Sequence, residues 1–481
     1  MSTVRWVDRL VNPRASATIG FGLTLWGFWL GVRQLSDNSY FTHLATGRLI
    51  LDSGSVPVTD PYSFTANGEG WVVQSWLASV LYAFVDGWLG PGGVRVLTGL
   101  LTAVVTLLTW RLTRSANLVV RVAATSMVLI IGGVMWSPRP LLFGLVFMGL
   151  TLLAAKGDLN ALWLVPVYWF WANSHGSFPL GLVALGVLYA GARWDKQQAR
   201  NELDGLKWAL VGTALAVLPL GPKILVFPIE ILRRSESLQQ IIEWQSPSFL
   251  TAWSRLYLIQ IVVTVLALVR RPSWRGALAA VVFVSASLLG QRNVAVASLV
   301  LAVVIADGLS GLGNLKGADR SVMFALAGSV MVVILIAACS VSLEGPSYEL
   351  SSYPTDAVSW LDRSGAIARP GIRLATPDTT GNYLELIYGP RAQVFVDDRV
   401  DMYPKKIVDQ AVALIHGTSG WREALDSPNG RSDQAANVVL WERGGPLAEI
   451  LTESDQWRIL YEDGKWMIGC RRGAQVGALA C

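Results

Sequence analysis

The sequence predicts an α-helical polytopic membrane protein with a polar α/β domain at its C-terminal end. Three observations predict it. The 481 residues are 52% hydrophobic and 15% charged, with a mean hydropathy of +0.44; a soluble domain carries about 25% charged residues. Long apolar runs recur between residues 17 and 341. Beyond the Glu344-Gly-Pro-Ser junction these runs stop, and about 140 residues of mixed sequence follow, a usual domain size. We therefore expect a membrane domain over 1–343, with its first outer loop at 33–93, and a separate domain over 344–481.

The apolar runs lie near 17–32, 94–110, 122–136, 141–155, 160–173, 178–192, 208–220, 256–269, 276–289, 294–308 and 322–341. Several are shorter than the roughly 20 residues of a straight span, so their ends should extend into the loops. Arg5, Arg9 and Arg14 precede the first run, and no small-residue cleavage site follows it. This reads as a signal anchor with its N-terminus inside. With about 11 spans, the clusters Arg111, Arg114, Arg121, then Arg193, Lys196, Arg200, Lys207, then Arg270, Arg271, Arg275 all fall on the cytoplasmic side. That is the sign the positive-inside rule requires. Counting Trp71–Leu89 as a further span would reverse it. Its Trp71, Trp76, Tyr82 and Trp88 suit the headgroup zone, and Asp86 suits a bilayer centre poorly. We read 71–89 as an interfacial or re-entrant helix. The tail then lies outside the plasma membrane.

The net charge of +5 comes from 39 Lys and Arg against 34 Asp and Glu. The surplus sits in loops, and no basic tail or recognition motif is present, so nucleic acid is not an expected partner. Cys339, Cys470 and Cys481 make neither a disulfide framework nor a zinc set. Cys470 and Cys481 could pair, but nothing in the sequence demands it. In the tail, 356–363, 405–416 and 446–451 have helical character. Residues 372–376, 393–396, 437–441, 458–461 and 465–469 read as short strands of one sheet.

Polar residues gather on the outer side. The first outer loop carries Asp37, His43, Arg48 and Asp60. Later outer loops hold Ser137-Pro-Arg139-Pro140, Trp171-Ala-Asn173-Ser-His175-Gly176, Glu243-Trp244-Gln-Ser-Pro247 and Gly290-Gln-Arg292-Asn293. Such groups at a membrane boundary are costly unless paired or lining a watery cavity. No phosphate loop, dinucleotide fingerprint, zinc-protease motif or nucleophile elbow occurs. Transfer chemistry outside the membrane lacks ATP and sugar nucleotides, and usually draws on a lipid-linked donor whose phosphate leaves. That reaction needs a carboxylate to take the acceptor proton, for which Asp37 is the candidate. It also needs cationic groups on the leaving phosphate, for which Arg139, Arg292, Arg48 and His175 are candidates.

Each residue also has a plainer reading. Asp37 can cap a helix, and His43 can be a structural hydrogen-bonding group. Asp60-Pro61 is a turn signal, and Arg139 can meet a lipid headgroup. Glu243 with Trp244 can recognise a sugar or anchor at the interface. Asp397, Asp398 and Arg399 can contact an acceptor or a cation, or form a salt-bridged strand end.

The motifs Asp37 with His43-Leu-Ala-Thr-Gly47-Arg48, Val56-Pro-Val-Thr-Asp60-Pro61-Tyr-Ser-Phe64, and Gln74-Ser-Trp76-Leu77 resemble those of a group of bacterial polytopic proteins. That group is related to the GT-C glycosyltransferase superfamily. Ser137-Pro-Arg139-Pro140, Trp171-Ala-Asn173-Ser-His175-Gly176 and Glu243-Trp244-Gln-Ser-Pro247 belong to the same likeness. So do Thr380-Gly381-Asn-Tyr383-Leu384 and Val394-Phe-Val-Asp397-Asp398-Arg399 in the tail. The resemblance implies a GT-C-like core. It implies a polyprenyl-phosphate-linked sugar as donor and a cell-envelope glycan, lipid or protein as acceptor, with Asp37 as base. Related sequences often carry a second acid where this chain has Ser39. No metal site is assigned and no cofactor is required by any motif; a divalent cation stays open. Two other classes stand beside the enzyme: a non-catalytic envelope scaffold that keeps the fold, and a transporter. The transporter would want ionisable groups near mid-membrane, and the spans here are nearly free of charge.

Overall fold

The computed structural model describes residues 15–233, 242–312, 321–367, 371–476 and 479–481. Arg5, Arg9 and Arg14 lie outside the described residues. The chain divides into two compact units.

The first unit contains the residues up to Leu35, then Val85–Pro228 and Gln239–Ser347. It is built from helices, and every apolar run identified in the sequence falls on one. Among the described residues, five helices are long and apolar enough to cross a membrane: Trp76–Leu112, Arg200–Leu220, Ala252–Arg270, Gln291–Gly308 and Val322–Glu344. Shorter apolar helices cover Leu118–Gly133, Leu141–Ala155, Phe178–Trp194 and Trp274–Leu289, and another runs over Ala15–Gly31.

Helix packing uses small residues and internally satisfied hydroxyls, as apolar surroundings require. The Ala15–Gly31 helix packs on Val322–Glu344. It also meets the long helix through Gly27 and Gly31, whose bare faces lie against Thr106 and Thr102. Thr98, Thr102, Thr106, Thr109 and Thr113 are all buried. Each returns its hydroxyl to the carbonyl four residues back, at 2.8–3.0 Å. Thr102 also donates to the Gly27 carbonyl at 2.7 Å. Arg95 is buried in this unit as well. Its Nε donates to the Val32 carbonyl at 3.0 Å, and its Nη1 and Nη2 donate to the carbonyls of Gly345 and Ser342. It thus satisfies carbonyls at the C-terminal end of Val322–Glu344, where a cation is favoured.

The Trp71–Leu89 segment is not a self-contained helix. Helix begins at Trp76 and runs on to Leu112, broken at Gly90, whose φ of 64° and ψ of −171° are non-helical. Glycine tolerates that conformation, and Pro91 follows it.

The second unit contains Ser36–Phe84, Ile229–Leu238 and Tyr348–Cys481. It is therefore more than the tail: most of the first outer loop belongs to it. Its sheet has strands β1 (Leu374–Ala375), β2 (Val438–Glu442), β3 (Trp457–Glu462) and β4 (Trp466–Arg471), in the order β1-β2-β4-β3. β1 and β2 are parallel; the other pairs are antiparallel. The expected strand at 393–396 is present only as single bridges. Val394 pairs in parallel with Leu374 on one side and with Ser63 on the other. Phe64 donates its N–H to the Val394 carbonyl at 3.0 Å, and Val394 returns one to Tyr62 at 3.1 Å. The loop thus extends the tail's sheet across its β1 side.

Helices Thr355–Arg363, Asp378–Tyr388, Lys405–His416, Trp421–Asp426 and Pro446–Thr452 accompany the sheet. The loop adds Asn38–Ser53, which packs on Asp378–Tyr388. Tyr62, Phe64, Trp71 and Val73 of the loop share one apolar core with Phe395, Ile407, Leu414, Val439, Trp441 and Met467 of the tail. A disulfide joins Cys470 to Cys481.

Candidate active site

The candidate residues separate into two sets, one in each unit.

In the second unit, Asp37 occupies the N-cap of Asn38–Ser53 with extended backbone angles, but its side chain makes no capping hydrogen bond. Ser39, in the first turn of that helix, donates from Oγ to Oδ2 of Asp398. The tail therefore brings a second carboxylate to the helix end that Asp37 begins, where the helix dipole favours negative charge. Asp398 is held there from its own side. Its N–H donates to Asn382 Oδ1 at 3.1 Å, and its neighbours Asp397 and Arg399 are locked into the interior.

That interior is a buried ionic cluster. Arg399 donates from Nη2 to Asp60 Oδ1 at 2.6 Å and to Asp397 Oδ2 at 2.5 Å, and from Nε to Asp397 Oδ1 at 2.8 Å. Its guanidinium lies over the rings of Trp71, at 4.3 Å, and Tyr62, at 4.8 Å. Such stacking suits a weakly hydrated, planar cation. Tyr403 donates to Asp397 Oδ2 at 2.7 Å. Asp60 also accepts from the Tyr62 and Ser63 N–H groups at 3.1 and 3.0 Å. The turn expected at Asp60-Pro61 forms, and the same carboxylate closes the ion pair. Burial would raise the Asp397 carboxyl, but the Arg399 charge and hydrogen bonds outweigh it and hold it below the ordinary carboxylate value. Burial would lower Arg399; Asp397, Tyr403 and Asp60 raise it well above its usual value.

The remaining loop candidates have structural partners. His43 Nδ1 lies 3.0 Å from Ser79 Oγ. Arg48 donates to the Leu386 carbonyl at 3.1 Å, near the end of Asp378–Tyr388. Trp71, expected in a headgroup belt, is buried beside Arg399.

In the first unit, the Ile242–Trp244 turn organises two arginines. Arg139 forms an ion pair with Glu243, and Arg292 lies 4.3 Å over the Trp244 ring. The Gln291 N–H donates to the Gln245 carbonyl at 2.8 Å, fixing the two turns together. Glu243 and Trp244 thus each hold a cation. His175 ends the Leu164–Ser174 helix in extended conformation. Its Nδ1 accepts from the Ser177 N–H at 3.2 Å and lies 2.7 Å from Ser177 Oγ. Accepting at Nδ1 puts the proton of a neutral ring on Nε2, as a donor. Trp171 Nε1 donates to the same Ser177 Oγ at 3.0 Å. Gly144, beside Ser177 and His175, sits in the first turn of the helix that follows Arg139-Pro140. Asn173 is fully buried and donates to the Trp169 carbonyl at 2.8 Å and to the Ala216 carbonyl at 3.4 Å.

Sequence reasoning noted Ser39 only as the place of a missing acid, and missed Thr42, Glu385 and Tyr403. Glu385 follows directly on the Thr380–Leu384 motif, but nothing local marks it as buried. Among the described residues, no group of three or more His, Cys, Asp or Glu is arranged to hold a metal ion.

No family model matches the chain, and no curated protein matches it. Solved structures do. The oligosaccharyltransferase AglB of Archaeoglobus fulgidus, in complex with an inhibitory peptide and a dolichol-phosphate, superposes with a TM-score of 0.53 at 12% identity. The match covers 89% of this chain and 69% of that one. The apo form of the same enzyme gives 0.54 with the same identity and coverage. ArnT of Cupriavidus metallidurans, bound to undecaprenyl phosphate, is also matched, with a TM-score of 0.49, 12% identity, and 95% and 98% of the two chains covered. The chain thus shares the fold of the archaeal enzyme, mostly helical with a small sheet toward its C-terminus.

Proposed function

We propose that this protein is a membrane glycosyltransferase of GT-C type. It moves a sugar from a polyprenyl-phosphate-linked donor to a hydroxyl of a cell-envelope acceptor on the outer face of the plasma membrane. The observation that carries the reading is the GT-C-like fold over 89% of the chain, on a sequence with outer-loop Asp37 as a candidate base. The archaeal match is to an enzyme solved with a dolichol-phosphate, and a polyprenyl phosphate is the corresponding donor lipid here. Asp37 takes the proton of the acceptor hydroxyl as its oxygen attacks the anomeric carbon. The bond from that carbon to the phosphate oxygen breaks, and the lipid phosphate leaves with the bonding pair. Cationic groups neutralise the charge that develops on it; within the first unit, Arg139, Arg292 and the Nε2–H of His175 are the groups suited to holding a lipid phosphate. Glu243 is the counter-ion that holds Arg139 until the phosphate replaces it. Asp60, Asp397 and Arg399 take no part in the chemistry and brace the element that carries Asp37.

The proposed topology has about 11 spans, the N-terminus inside and the second unit outside. The Cys470–Cys481 disulfide supports that side, because disulfides persist in oxidising compartments.

The test is sugar transfer by the purified protein from a panel of polyprenyl-phosphate sugars, with Mg²⁺, Mn²⁺ or EDTA, beside Asp37→Asn. Loss of a general base should lower turnover by about 10²–10⁴-fold. Transfer from no donor, with an unchanged cell phenotype for Asp37→Asn, would leave the non-catalytic scaffold standing instead.

A further inference from the structure

Glu385 is fully buried on the Asp378–Tyr388 helix, and the proposed reaction does not use it. Its Oε2 accepts from Thr42 Oγ1 of the Asn38–Ser53 helix at 2.7 Å. Its Oε1 is buried and has no donor among the described residues, although Glu385 and Asp397 lie within hydrogen-bonding reach of each other. Charge balance sharpens the problem. Asp60, Asp397 and Glu385 are three buried carboxyls, and the cation among them is Arg399. Among the described residues, its side-chain hydrogen bonds go to Asp60 and Asp397 and none goes to Glu385. An ionised carboxylate in that position would be buried without a compensating cation, which costs several kcal/mol or more. Two facing oxygens with no proton between them would also repel.

One proton removes both difficulties. We propose that Glu385 is held as a neutral carboxylic acid that donates from Oε1 to Asp397, and that this proton latches the Asn38–Ser53 helix to the ionic cluster of the tail. With it, each oxygen of Glu385 has a partner: Thr42 on one, Asp397 on the other. Removing it places a third negative charge beside Asp60 and Asp397 and frees the helix that begins at Asp37. The latch is a pH-sensitive device in the second unit, independent of which substrate the protein uses.

The surroundings set its direction. Asp397, Arg399 and Tyr403 face Glu385 from the 394–403 segment, Tyr62 from the loop and Thr42 from its helix, with Asp60 behind Arg399. Asp378, on Glu385's own helix, interacts with Asp397. Burial first, then the Asp397 charge, push the Glu385 carboxyl well above its ordinary value, against the opposing pull of Arg399 and Thr42. A group raised in the folded state contributes its full stability below the unfolded pKa, about 4.3 for Glu. That contribution is lost as pH rises toward the folded value. Over this window the folding equilibrium constant falls by up to about tenfold per pH unit.

The test uses the full chain in detergent. Infrared spectroscopy at pH 7 should show a neutral carboxylic acid stretch that Glu385→Gln removes. Glu385→Gln supplies an uncharged donor of the same shape. Its resistance to proteolysis within 36–84 should therefore stay level between pH 6 and pH 9, while the wild type loses resistance. No acid band assignable to Glu385 at pH 7, or equal pH slopes for wild type and Glu385→Gln, would overturn the proposal. If Glu385→Gln does not fold, Thr42→Val carries the test. Removing the Thr42 donor should move the loss of the acid band to higher pH, and an unmoved band would overturn the proposal.

Discussion

Arg399 shows how one side chain can bind distant parts of a chain into one unit. Its guanidinium meets Asp60, 339 residues earlier in the sequence, and Asp397 two residues before it, and lies over the rings of Tyr62 and Trp71. Truncation to Ala would leave two buried carboxylates unpaired, and breaking a buried pair costs about 3–5 kcal/mol. Arg399→Ala should therefore lower the unfolding midpoint of the second unit sharply. Arg399→Lys should not restore it, because an ammonium provides neither the paired donors to Asp397 nor the flat face against Trp71. Denaturant titration followed by tryptophan fluorescence checks both, since Trp71 reports from the cluster itself. A stable Arg399→Lys variant would show that charge alone suffices. At the opposite charge, Asp397 is held below its unfolded value, so its contribution is present above about pH 4 and lost as pH falls through the folded value. Acid should loosen this unit from the Asp397 side, as alkali loosens it from the Glu385 side.

At the scale of elements, local signals reported what local forces decide. The apolar period of residues 405–416 matched a helix with those bounds, Lys405–His416. The strands at 437–441, 458–461 and 465–469 formed within a residue or two of their expected ends. The strand at 393–396 was legible as extended chain but not as a junction. Its partners, Ser63 and Leu374, are set by tertiary contact, which no period of two encodes. Two glycines of the outer motifs acquire a reason the same way. A Cβ on Gly381 would strike the Val396 carbonyl, and a Cβ on Gly47 would strike the backbone of Ser79. Both contacts are with main chain, which cannot turn aside. Gly381→Ala should therefore force the Asp378–Tyr388 helix off the 394–396 segment, at a cost of about 1–3 kcal/mol. Gly54→Ala, by contrast, meets nothing in space, so its cost is the strain of a φ of 67° alone. Thermal unfolding of the two variants side by side distinguishes close approach from backbone strain; equal losses would count against the packing explanation.

For the whole molecule, composition changes near residue 344, whereas the second compact unit takes in Ser36–Phe84 as well as Tyr348–Cys481. Composition follows the chain in order, whereas a compact unit is defined by contact, and the stretch 36–84 reads locally as an ordinary outer loop. In the structure that stretch supplies the second unit with a sheet partner at Ser63, a counter-ion at Asp60 and the aromatic faces of Tyr62 and Trp71. It also contributes Tyr62, Phe64 and Val73 to the apolar core. A fragment of 348–481 alone would leave Arg399 without Asp60 and expose the Val394 edge, which then invites pairing with other chains. We expect that fragment to aggregate or to remain a fluctuating compact state, with its Cys470–Cys481 disulfide intact. Joining 36–84 to its N-terminus through a flexible linker should recover cooperative unfolding, and adding Asp60→Asn to the joined form should remove much of the gain. Circular dichroism and size-exclusion chromatography decide the matter. If 348–481 folds cooperatively by itself, the loop is an addition to a finished domain, and Arg399 must then find its stability from Asp397 and Tyr403 alone.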